Sequence, residues 1–143
     1  SLRIVGDGDR ESMLRRLASE RGVDSRVEFV GRVPYDEIPR EYASADAFVH
    51  PGVWPEPLNR TVLEAMQAGL PIVCTDIGGP PEVVPDDDLV CQPADSASLA
   101  RAIQRARTKN PETAASESRK YVEANHHPSV VIPQLIDLYR ELW

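Results

Sequence analysis

The seventeen residues from Pro55 to Pro71, reading PEPLNRTVLEAMQAGLP, constrain the fold more than any other stretch, because they set two carboxylates, a helix start and a return to strand in close succession. Pro55 and Pro57 keep the backbone extended: each ring fixes φ, and each pushes the preceding residue out of the helical region. Glu56 therefore sits on a stiff loop. From Asn59 or Arg60 the apolar spacing turns helical, with Val62, Leu63, Ala65 and Met66 on one side, and Gly69 supplies the stop. Glu64 lies within that helix, and Pro71 to Thr75 is the apolar strand that follows.

In one continuous helix, the spacing of Glu56 and Glu64 would leave them roughly 80° apart. A loop followed by a helix lets them converge. Unpaired amides at a helix start carry partial positive charge and seat phosphate, which neighbouring carboxylates would repel. The conflict disappears if the carboxylates meet hydroxyls, since an ionised Glu only accepts and can grip a vicinal diol with both oxygens. A ligand that carries phosphates and diols together is a nucleotide sugar.

The chain has 143 residues, which reads as one domain over 1–143 with a helical part from about residue 96. Sixteen basic and twenty-three acidic residues give a net charge of −7, and no basic stripe tracks a phosphate backbone, so nucleic acid is not expected as a partner. Cys74 and Cys91 fall in expected strands without metal-type spacing, which reads as buried, reduced thiols in a cytoplasmic protein. No apolar run reaches membrane-span length. The sequence opens on a strand without an initiator Met, as expected of a piece of a longer protein.

Taken in order, Leu2 to Val5 reads as a buried strand, followed by a tight turn at Gly6 and Gly8. Glu11 stands where a dinucleotide fingerprint needs its third glycine, so no nicotinamide site is expected. Asp9 is the expected cap of a helix that turns Met13, Leu14, Leu17 and Ala18 inward and stops at Gly22. Val27 to Val30 is a second strand, with Gly31-Arg32-Val33-Pro34 at its carboxyl end, where open α/β sheets bind ligands. Asp36 to Ser44 reads as a short helix and Ala47 to His50 as a third strand. Trp54 either lines a sugar subsite or packs its loop.

Beyond the central element, Gly78 and Gly79 let the backbone approach a ligand closely. The run Pro85 to Asp88 lacks the glycine and glutamate of a calcium loop and reads as a solvated turn before a last strand, Leu89 to Cys91. Three helices follow, starting near Asp95, Pro111 and Pro128. The last carries Val131, Leu135, Ile136, Leu138 and Tyr139 on its apolar side, with Pro133 as a kink or as the true start. His126 and His127 have no third ligand spaced to help them, so no metal is expected.

These stretches resemble, in order, the C-terminal donor-binding domain of a GT-B glycosyltransferase of the retaining family 4, the glycosyl transferases group 1. The resemblance covers about residues 2 to 95. It rests on Val5-Gly6-Asp7-Gly8, Val27 to Val33, the run from Tyr42 to Pro51, the spacing of Glu56 and Glu64, and Gly78 to Val84. It implies a Rossmann-like, doubly wound α/β domain, with a parallel sheet of about five or six strands and helices on both faces, as one half of a GT-B enzyme. It implies that Glu56 holds the donor sugar's hydroxyls at the reacting end, the catalytic position, and that Glu64 holds the ribose diol. Arg32 and Val33 would hold the nucleobase, and the amides of Leu58, Asn59, Arg60 and Thr61 would lie against sugar and phosphates. Gly78 and Gly79 would face the phosphate and sugar, with Gly6 at the first turn completing the set.

The implied donor is a UDP- or GDP-sugar, with no cofactor and no metal. The implied partner is an N-terminal acceptor domain of the same protein, and a lipid acceptor is the one implied route to a membrane surface. The family's basic pyrophosphate clamp precedes the first strand and is not in this sequence. The expectation is therefore millimolar donor binding and no sugar transfer by this chain alone. Its apolar tail at Leu142 and Trp143 is expected to be partly uncovered and prone to self-association. A catalytically silent nucleotide-sugar module, or half of a GT-B epimerase, would share the crevice; Leu58-Asn59-Arg60 between the glutamates favours the transferase. A receiver domain would need a lysine near its fifth strand, and none precedes Lys109.

Overall fold

The computed structural model describes residues 1–142; Trp143, the last residue of the expected apolar tail, lies outside them. Two compact units divide the chain, Ser1–Glu41 and the remainder from Tyr42.

In the first unit β1 (Leu2–Val5) and β2 (Val27–Gly31) pair in parallel around α1 (Glu11–Glu20), with Leu2 opposite Val27 and Ile4 opposite Phe29. Arg10, not Asp9, occupies the cap position of α1, and no side chain caps the helix. The Glu11 amide donates instead to the Gly8 carbonyl at 3.1 Å, so the tight turn meets the need that a carboxylate was expected to meet. The other end follows expectation. Gly22 takes a φ of 63°, and Val23 N–H closes on the Ala18 carbonyl at 2.9 Å. The buried face is narrower than its periodicity suggests: Ala18 is buried, but Met13 and Leu17 are 38% and 43% exposed. Two strands offer too little apolar surface to cover the stripe. Arg15 lies over the Phe29 ring at 4.3 Å from its centroid, and Arg3 pairs with both Glu28 and Glu41.

Helix α2 (Ile38–Ala43) begins two residues later than expected, because Glu37 N–H closes a turn onto the Pro34 carbonyl at 2.9 Å. Pro39 sits in its first turn, where its missing donor costs nothing.

In the second unit β3 (Phe48–His50), β4 (Ile72–Thr75) and β5 (Val90–Cys91) lie in parallel with β4 central. His50 stands opposite Cys74, and Thr75 opposite Cys91. Every β4 residue is buried, and alternation divides them between two cores. Ile72 and Cys74 pack with Val62, Ala65 and Met66 of α3 (Arg60–Ala68) and with Val83 of α4 (Pro80–Val83). Val73 packs on the other face with Leu89, Cys91, and Ala102 and Ala106 of α5 (Ser96–Ala106). A strand sandwiched this way reads as a continuous apolar run, as here. Each fully buried aliphatic side chain stabilises by about 1.5–3 kcal/mol. Both cysteines are free and buried, and burial is the main cause pushing the Cys74 thiol up to about 12.

The aspartate run is tied down rather than merely solvated. Asp86 accepts from the Asp88 amide at 3.1 Å and pairs with Lys109, while Arg105 reaches Asp88 at 3.8 Å. Asp95, Asn110 and His127 cap α5, α6 (Pro111–Asn125) and α7 (Pro128–Glu141) with their side chains. Helix α7 runs through Pro133, which therefore does not mark its start. Its apolar residues, Leu135, Leu138 and Tyr139 among them, are exposed. Among the described residues no helix is long and apolar enough to cross a membrane.

Candidate functional site

The loop from Pro51 to Pro57 leaves the carboxyl end of β3 and is fixed at two points by β4 and the turn after it. Thr75 Oγ1 donates to the Gly52 carbonyl at 2.5 Å, and Gly79 N–H donates to the Glu56 carbonyl at 2.8 Å. The second bond explains the paired glycines. A Cβ on Gly79 would overlap the Pro57 carbonyl, and one on Gly78, whose φ is +69°, would strike the backbone of Glu56. The sequence suggests that both glycines allow close approach of a ligand; what they admit within the chain is the Glu56 loop itself. Glu56 is half-buried, while Trp54 is 74% exposed and so does not pack the loop.

The loop runs directly into α3. Asn59 Oδ1 accepts from the Thr61 amide at 2.9 Å and from Thr61 Oγ1 at 2.6 Å, a side-chain cap of the usual kind. This takes the Thr61 amide out of the set expected to meet a ligand. Leu58 anchors the junction by packing on the α3 core. Gly69, with φ 86°, closes the helix at the stop expected from the sequence.

Glu64, in the second turn, has a side chain 22% exposed, and Arg60 Nε lies 3.5 Å from its Oε1. Tyr42 donates to its Oε2 at 3.1 Å. Sequence reasoning misses that partner, since Tyr42 stands there only as part of a matching run. Nothing local marks a contact spanning 22 residues.

In the first unit, Gly6 N–H donates to the Gly31 carbonyl at 2.8 Å, which joins the carboxyl ends of β1 and β2. Arg32 extends from that junction, 83% exposed, with Nε 2.7 Å from Asp7 Oδ2. The hydrogen bond to Asp7, and then its charge, raise the Arg32 pKa above its ordinary value. Val33 beside it is half-buried.

Two concavities of about 240 and 780 Å³ lie elsewhere in the second unit; both include Pro71 and Lys109, and neither includes Glu56 or Glu64. Chemistry, not hollow volume, singles out the loop and helix start, because that is where the pinned backbone of Glu56 runs into a capped helix end. Among the described residues no cluster of three His, Cys, Asp or Glu could hold a metal ion.

Residues 1–125 match the model of the family described as glycosyl transferases group 1. The chain is 32% identical over 121 residues to a phosphatidylinositol N-acetylglucosaminyltransferase subunit from Arabidopsis thaliana, covering 82% of this chain and 27% of that one. It is 41% identical over 90 residues to a GDP-mannose-dependent alpha-(1-6)-phosphatidylinositol monomannoside mannosyltransferase of Mycobacterium tuberculosis, covering 59% and 23%. Among solved structures it resembles Anabaena HepE in complex with UDP, with a TM-score of 0.88 at 26% identity over 97% of this chain and 40% of that one. The chain thus spans about a quarter of the length of the curated relatives it matches. Its fold is the Rossmann-like α/β arrangement of one half of a GT-B enzyme. With the match running from its first residue through the end of α6, the chain belongs to the glycosyl transferases group 1 family.

Proposed function

We propose that this chain binds the donor of a retaining glycosyl transfer, a nucleoside diphosphate sugar, and that the remainder of such a protein supplies the acceptor. One observation carries the reading: the Glu56 loop is pinned by Thr75 and Gly79 and passes directly into the capped start of α3, with Glu64 in that helix's second turn. Solved HepE binds UDP, and the mycobacterial relative is named for GDP-mannose, so either base is compatible.

In this reading Glu56 accepts from the donor sugar's hydroxyls and Glu64 from the ribose diol. Arg32 and Val33 meet the base, and Gly6, Gly78 and Gly79 shape the backbone around the ligand. As the glycosidic bond breaks, charge builds on phosphate oxygens. The amides at the start of α3 and its dipole stabilise that charge, an interaction of about 0.3–1 kcal/mol when exposed and up to about 2 when partly buried. No bound metal or cofactor enters the scheme.

Amide-resolved NMR titration with UDP-glucose and GDP-mannose tests it. Shifts are expected at Leu58 to Glu64, at Gly78 and Gly79, and at Arg32 and Val33. Glu64→Ala weakens binding by about one to two orders of magnitude for each hydrogen bond lost. Absence of shifts at several millimolar donor refutes the donor site. Sugar transfer by the purified chain alone refutes the need for the remainder.

A further inference from the structure

We propose that Tyr42 is a positioning residue for donor binding: its hydroxyl holds the Glu64 carboxylate in the orientation that receives the ribose diol. The inference rests on the reading of Glu64 as the ribose ligand.

Tyr42 lies in the last turn of α2. Its ring meets Phe48 of β3 edge-on, with centroids 5.9 Å apart and planes at 63°, and it packs against the apolar cluster beneath α3. The hydroxyl leaves that apolar wall at the side of α3. It donates to Glu64 Oε2 at 3.1 Å, with the Thr61 carbonyl 3.4 Å away. A tyrosine has two side-chain torsions, and packing on Phe48 restrains both. The donor therefore arrives from a fixed position.

Glu64 needs such a donor. Its side chain is 22% exposed, and a carboxylate drawn that far from water requires hydrogen bonds to remain charged at low cost. Arg60, 3.5 Å from Oε1, is itself 80% exposed, so solvent screens its charge and the pair contributes little. The tyrosine hydroxyl is neutral and rigidly placed. By engaging one oxygen it selects one rotation of the carboxylate, so that an incoming diol meets acceptors already turned and does not have to order them.

The test is Tyr42→Phe, which keeps the ring on Phe48 and removes only the hydroxyl. UDP and GDP are titrated into the unmodified chain, Tyr42→Phe, Glu64→Ala and the double variant, followed by their 2′,3′-dideoxy forms. Tyr42→Phe is expected to weaken the ribonucleotide about tenfold, the loss of a modest hydrogen bond. Binding of the dideoxy form is expected to stay unchanged, and the double variant to bind no worse than Glu64→Ala. A structural role alone would weaken both nucleotide forms together. Unchanged ribonucleotide affinity, equal loss with the dideoxy form, or additive loss in the double variant overturns the positioning role and leaves the donor site standing. Absence of nucleotide binding by the unmodified chain overturns both.

Discussion

Replacing Gly79 with alanine probes how the Glu56 loop is held. At φ −79° and ψ −25° the backbone suits alanine, so no torsional strain enters. The cost is steric: the new Cβ overlaps the Pro57 carbonyl and lies 3.4 Å from the Leu58 amide nitrogen. These are backbone atoms with no rotamer to escape into. Relief requires the two segments to part by on the order of 1 Å, which breaks the 2.8 Å bond from Gly79 N–H to the Glu56 carbonyl. The lost bond costs about 0.5–1.5 kcal/mol and the overpacking about 1–3 kcal/mol, so urea unfolding should register a loss of about 1.5–4.5 kcal/mol. Affinity for UDP-glucose should fall with it, since the displaced loop carries Glu56. Gly8 is the internal control: nothing lies within 4 Å of a Cβ built there, and its alanine variant should stay within about 0.5 kcal/mol of the parent. If the two variants unfold at the same denaturant concentration, the account of the loop is wrong.

Asn59→Ala removes the cap of α3 and should cost about 1 kcal/mol in the same assay, while Asn59→Ser keeps most of it; equal losses would mean the cap contributes nothing. Burial raises the folded Cys74 pKa from 9.0 to about 12, so its contribution to stability is complete below pH 9 and is lost as pH rises towards 12. The slope is up to about 1.4 kcal/mol per pH unit. Urea midpoints at pH 8 and pH 10 measure the decline, and an identical decline in Cys74→Ala refutes the assignment. The exposed apolar residues of α7 predict self-association, seen as a sedimentation mass that rises with concentration and falls back in Leu135→Glu; a constant monomer mass in the parent refutes it.

Where prolines and glycines punctuate the chain, the sequence is a good guide. Pro57, Asn59 and Gly69 bound α3 because loop stiffness, capping and left-handed closure are local properties. The two-faced burial of β4 follows from its unbroken apolar run. Burial on α1 is overstated by the sequence because periodicity says which side is apolar, not whether a neighbour covers it, and Met13 and Leu17 remain exposed. The cap at Asp9 fails because a backbone turn at Gly8 meets the same amide. Within the site, Glu56 and Glu64 are recognisable by type and spacing. What holds them is not: Gly79 and Tyr42 reach them across 23 and 22 residues, and such pairings are set by tertiary packing.

Arg119 of α6 donates from Nε to the Gln67 carbonyl at 3.2 Å and from Nη2 to the Ala68 carbonyl at 3.1 Å, meeting acceptors that a helix end leaves unpaired. Gly69 makes room for it, since a Cβ there would lie 2.8 Å from both Ala115 Cβ and Arg119 Nη2. Helix α6 thus acts as a stopper for the helix that begins at the Glu56 loop. A chain trimmed before Pro111 would retain every candidate site residue and still let α3 unwind from its far end. Tyr121 and Val122, further along α6, also pack on the core beneath α3, so the far end of α3 is held by a helix that lies more than forty residues beyond it in the chain.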